Sequence, residues 1–119
     1  MEIRIGREIV IESMRMRLVR VGELQMDGTL NSPTAQAQVS RHLNELHTHV
    51  VREKLGSFTV DLRALRLVNS SAIRLFVDWI SRAEASQYKL VFVTDRTVTW
   101  HRLSFSVLKS LAPGCVEIV

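Results

Sequence analysis

With 119 residues, 46% of them hydrophobic, the chain has the length of one ordinary domain and enough apolar side chains for a single core. Its formal net charge of +4 comes from dispersed Lys and Arg rather than a basic cluster, which argues against a nucleic-acid module, and its one cysteine excludes an intramolecular disulfide. No stretch approaches the unbroken apolar run of a membrane helix, no Ser/Gly/Pro-rich linker divides the sequence, and the alternating start Met1-Glu2-Ile3-Arg4-Ile5-Gly6-Arg7 is unlike a secretory leader, so residues 1–119 are expected to form one domain in the cytoplasm, with no membrane partner.

Two extended stretches come first, Glu8 to Val21 and Glu23 to Leu30, separated by Gly22 and rich in alternating and β-branched residues. They predict an antiparallel hairpin or meander. Arg15, Arg17 and Arg20 interleave with Met16, Leu18 and Val19 as the solvent face of a strand would. Ser32-Pro33 then starts a helix, because a serine cap accepts a backbone N–H bond and proline at the first helical position loses no needed donor. Ala35, Val39, Leu43, Leu46 and Val50 follow at helical spacing, to an end near Glu53 and Gly56.

Phe58-Thr59-Val60-Asp61-Leu62 reads as a short strand that Leu65 to Val68 continues toward a turn at Asn69. A second helix follows, with Ile73, Phe76, Val77, Ile80 and Ala83 as its apolar stripe and Arg74, Asp78 and Arg82 as a charge ladder on another face. Leu75 and Trp79 are offset from that stripe, which makes Trp79 a candidate exposed anchor for a partner or a homodimer. Lys89 to Val93 lacks clean alternation and reads as a strand covered on both faces. Trp100 to Ser110 makes a third helix with Leu103, Val107, Leu108 and Leu111 pointing inward, Pro113-Gly114 breaks it, and Cys115 to Val119 closes the chain as a strand with Cys115 as a small buried hydrophobe. The order ββ-α-β-α-β-α-β defines an α/β fold: a mixed, largely parallel sheet with helices packed against it.

Chemistry concentrates at the Asn69-Ser70-Ser71 turn, where a strand feeds directly into an amphipathic helix. The first amides of a helix lack internal partners and the dipole is positive there, so a phosphoryl group on a serine is accommodated; it adds roughly −1.5 to −2 charges and reverses the local potential. Taken alone, the same residues are an ordinary cap with a polar first turn. Elsewhere, His42, His47, His49 and His101 have no metal-ligand spacing, and Asp61, Asp78, Glu84 and Asp95 form no acid/base, nucleophile or phosphate-loop motif. No metal, cofactor or catalytic activity is expected.

Val60-Asp61-Leu62, Leu67-Val68 and Asn69-Ser70-Ser71-Ala72-Ile73, with Gly28-Thr29-Leu30-Asn31 and Thr34-Ala35 upstream, resemble the signature of the STAS domain of anti-sigma factor antagonists. That family usually reads Asp-Ser-Ser/Thr-Gly at the turn; here Asn69 and Ala72 replace the Asp and the Gly. The resemblance covers most of the chain. It implies a STAS-like fold and a bacterial signalling regulator that switches partners, binding an anti-sigma factor or related serine kinase until phosphorylation at Ser70, with Ser71 as second candidate, releases it and a phosphatase resets it. Asn31, Ser32, Asn69, Ser70, Ser71, Ala72 and Arg74 would line the partner surface. The alternative is a constitutive STAS-like scaffold or dimerising module without a phosphorylation cycle.

Overall fold

Alternating side chains build the amino-terminal part of the fold: strand β1 (Glu8–Ile11), β2 (Met14–Arg20) and β3 (Glu23–Leu30) form an antiparallel meander. The computed structural model describes residues 4–119; Met1, Glu2 and Ile3 of the alternating start lie outside them. Three strands rather than two therefore precede the first helix. The stretch from Glu8 to Val21 is broken at Glu12-Ser13, where Glu12 takes a left-handed φ of 54° that no apolar or glycine signal announces.

Gly28 makes that break possible. It sits opposite Met14 in the β2–β3 ladder with φ 99°, and a Cβ there would overlap the Ser13 carbonyl oxygen, which also accepts the Thr29 N–H at 3.0 Å.

Helix α1 (Pro33–Arg52), strand β4 (Ser57–Val68), helix α2 (Ser70–Ala85), strand β5 (Lys89–Val93), helix α3 (Thr99–Leu111) and strand β6 (Val116–Ile118) complete the chain. All six strands form one sheet in the order β1-β2-β3-β4-β5-β6, parallel from β3 onward. Because that order never reverses, three right-handed crossovers place all three helices over the same face. Burial agrees: Met14, Met16, Leu24, Met26, Val60, Leu90 and Phe92 point into the core, while Arg15, Arg17, Gln25, Thr59 and Val91 alternate with them on the open face. β5 is thus covered on one face, not two; Val91 and Val93 are half-buried by their neighbours across the ladder.

On the open face charges pair across strands, as Arg15 Nε does with Asp27 at 2.8 Å. Asp61 lies there too, under a bidentate Arg63 whose side chain holds its carboxyl below the usual carboxylate range.

Two expectations about the core are overturned. Trp79 is 2% exposed: it packs on Phe58 at 5.6 Å between ring centroids, and its Nε1 donates to the Tyr88 hydroxyl at 2.9 Å, so it presents no surface anchor. Burial pushes the Tyr88 phenol up to about 12, and its oxygen lies 2.7 Å from His47 Nδ1. On α3 the buried residues are His101, Phe105 and Leu108, whereas Leu103, Val107 and Leu111 are 61%, 58% and 60% exposed. Both sets have helical spacing. Phe105 wins because it completes an aromatic cluster with Phe92, Phe76 and Trp100, at 5.0, 6.2 and 5.4 Å.

α1 and α2 both end in Schellman turns: Leu55 N–H bonds Val50 O and Tyr88 N–H bonds Ala83 O, each at 3.1 Å. The left-handed residues are Lys54 at φ 55° and Gln87 at φ 63°, so α1 ends before Gly56 without using it. Each non-glycine there is strained, and Lys54→Gly and Gln87→Gly are each expected to raise unfolding free energy by about 1 kcal/mol in urea melts.

Candidate functional site

β3, β4 and β5 run parallel, so their carboxyl ends open into the amino termini of α1, α2 and α3 at one end of the sheet. Leu30 and Val68 are paired in register, and the Asn69 N–H continues the ladder by donating to Leu30 O at 3.2 Å. That register puts Asn31 and Ser32 at the same end of the sheet as Asn69, Ser70 and Ser71.

Asn69 caps α2 with its extended backbone, its Oδ1 accepting the Ala72 N–H at 3.0 Å. The same oxygen accepts from Gln36 Nε2 at 2.9 Å and from the Ser71 hydroxyl at 3.1 Å, while Asn69 Nδ2 donates to Asn31 O at 3.1 Å. An aspartate would keep the cap but would set a carboxylate oxygen against the Asn31 carbonyl, so the amide is used on both sides. Gln36 also donates to Ser71 Oγ at 3.1 Å, tying α1 to the turn. In the sequence Gln36 is one polar residue among several in α1. Its single legible trait is its place one helical turn beyond the Ser32 cap, which by itself names no contact.

Ser32 plays the matching part on α1. Its Oγ accepts the Ala35 N–H at 3.1 Å and donates to Glu12 Oε1 at 2.8 Å, so the unannounced β1–β2 turn brings a carboxylate to this end of the sheet.

Ser70 and Ser71 are both exposed, but Ser70, at the first position of α2, differs in that its hydroxyl makes no hydrogen bond among the described residues. Arg74, also exposed, follows one turn later on the same helical face. Ala72 does not belong to the surface with which its sequence position groups it; it is fully buried, its methyl in the core. Trp79, in the core two turns further along α2, is no part of the site.

A negative group on Ser70 therefore meets the positive end of α2, open solvent and Arg74, whereas one on Ser71 must displace Gln36 and crowd Asn69 Oδ1. The two serines are separable by stability. Ser70→Asp is expected to stabilise the fold by about 0.5 kcal/mol, since an acid in the first helical turn is favourable, and Ser71→Asp to destabilise it by about 1–2 kcal/mol through the lost bonds. Thermal melts of both variants check the opposite signs.

The histidines and acids set aside as unpatterned are scattered. His101 is buried at the start of α3, its Nδ1 accepting the Asp95 N–H at 2.9 Å and its Nε2 lying 3.0 Å from Leu65 O; burial lowers its pKa and keeps the ring neutral, with Nε2 as donor. Asp95 bonds Thr97 and Arg66, and Asp78 and Glu84 lie along α2. Among the described residues no three His, Cys, Asp or Glu converge as metal ligands. Cys115 is buried beside the Tyr88 carbonyl, and burial pushes its thiol up, away from the reactive thiolate. No helix among the described residues is long and apolar enough to cross a membrane.

No protein-family model matches the chain, and comparison with curated proteins likewise yields no match.

Proposed function

We propose that this protein is a partner-switching signalling module of the STAS, anti-sigma factor antagonist type, working in the bacterial cytoplasm without catalytic activity of its own. The observation that carries the reading is the asymmetry of hydrogen bonding in the exposed serine pair: Ser70 is unbonded at a helix amino terminus, while Ser71 and Asn69 are held by Gln36. A hydroxyl free to enter a kinase site, flanked by a turn already rigid, is the arrangement a phosphoswitch needs. In this reading the surface around Asn31, Ser32, Ser70 and Arg74 binds an anti-sigma factor or related serine kinase, and the phosphate of Ser70 adds roughly −1.5 to −2 charges that expel it. A phosphatase restores binding. The resemblance of residues 60–73 to that family's signature supports the same conclusion.

A second reading, a constitutive binding scaffold, is favoured by the closed network itself. Asn69, Ser71 and Gln36 satisfy one another before any modification. Phosphopeptide mapping by mass spectrometry of protein recovered from its native cytosol separates the two: phosphate on Ser70 supports the switch, and a Ser70 unmodified in every growth condition supports the scaffold. The homodimer through Trp79 is not retained, because that side chain is buried.

A further inference from the structure

A groove of about 670 Å³ lies between α3 and β6, floored by Phe105, Pro113 and Ile118 and walled by Arg96, Arg102 and Lys109. Its size falls in the range of small-molecule sites, roughly 300–1,000 Å³. No acid lines it: Asp95, beside Arg96, is engaged by Arg66 and Thr97, and Glu117 alternates away from Ile118 along β6. The side chains of Arg96 and Arg102 have no hydrogen-bond or ion-pair partner among the described residues. Lys109 Nζ donates to Val116 O at 2.9 Å, which fixes the ammonium at the rim with further N–H donors to offer. His101 closes the back of the groove as a neutral ring with both nitrogens engaged, so it adds neither charge nor a competing acceptor.

An apolar floor under three unpaired or partly engaged cations is complementary to one kind of occupant. We infer that this groove binds a soluble anionic amphiphile, with its carboxylate or phosphate head held by Arg96 and Arg102 and its hydrocarbon body laid over Phe105, Pro113 and Ile118 toward the Lys109 end. Two guanidiniums suit a planar oxyanion, which takes paired N–H bonds. A second copy of the chain is a poor occupant, since a two-fold contact sets these cations against their own images. A strand added to the β6 edge is opposed by Lys109, which already bonds that edge. This site is independent of the Ser70 reading and stands or falls without it.

The test uses the wild-type protein, three soluble probes below their aggregation concentrations (decanoate, decylammonium and acetate) and, separately, phosphatidylserine vesicles. Amide chemical shifts and titration calorimetry are expected to show saturable one-to-one binding of decanoate, with shifts confined to residues 94–96, 101–110 and 116–118, and at least tenfold weaker binding of the other two. Arg96→Gln combined with Arg102→Gln should weaken decanoate at least tenfold while leaving the melting temperature unchanged. Equal binding of decanoate and decylammonium, shifts centred on the outer Leu103, Val107 and Leu111, or a response only to anionic phosphatidylserine vesicles would overturn the assignment. The wild-type comparison of the two ten-carbon probes decides the matter even if the double variant fails to fold.

Discussion

Trp79→Ala is expected to lose about 3–5 kcal/mol of unfolding free energy, the cost of emptying a large aromatic site in a packed core. The removed indole leaves a cavity against Phe58, and the Tyr88 hydroxyl loses its donor while remaining buried beside His47. The lost hydrogen bond adds to the cavity term, because a buried polar atom without its partner keeps its desolvation cost. Leu103→Ala and Val107→Ala, by contrast, are expected to change stability by less than about 0.5 kcal/mol, as exposed positions do. Urea melts of the three variants report the difference directly, and the ranking reverses if Trp79 is the surface residue and Leu103 the core one.

Gly28→Ala should cost about 2–4 kcal/mol, combining the penalty of a positive φ with forced movement of a packed backbone. The new Cβ has no room, because Ser13 O lies against it and bonds Thr29 as well. Relief would require the Glu12-Ser13 turn to move, and Glu12 holds Ser32 at the start of α1. Amide exchange should therefore quicken around Thr29, Ser32 and Ala35 in the folded variant, while α3 amides stay protected. Equal quickening throughout would instead mean that the turn and the α1 cap are not mechanically linked.

What could be read from the sequence follows from how each signal arises. Ser32-Pro33 and Asn69 are caps whose chemistry is local, so the starts of α1 and α2 were legible residue by residue. The largely parallel sheet followed from the alternation of strands with helices. The Glu12-Ser13 break was not legible, because a glutamate in a left-handed turn is imposed by the two-residue β1–β2 hairpin that pairs Ile11 with Met14 rather than by its own preference. One covered sheet face was also hidden, since that depends on the order of all six strands.

α3 misled for a different reason. Its core stripe begins with His101, a polar residue that the fold accepts only because Asp95 N–H and Leu65 O engage both ring nitrogens, while its exposed stripe is wholly aliphatic. Hydrophobic periodicity therefore selects the outer face. At the candidate site the turn itself was legible, but the bond from Gln36 across 33 residues to Asn69, which separates the two serines, was not. Position alone likewise gave no sign that Ala72 turns inward.

The most direct test of Ser70 as the switch is quantitative capture from native cytosol with immobilised wild type, Ser70→Asp and Ser71→Ala at equal folded concentration. A serine-kinase-type partner retained by wild type and Ser71→Ala but depleted at least tenfold on Ser70→Asp is the expected result. The same partner held equally by all three proteins would contradict a phosphoswitch at Ser70.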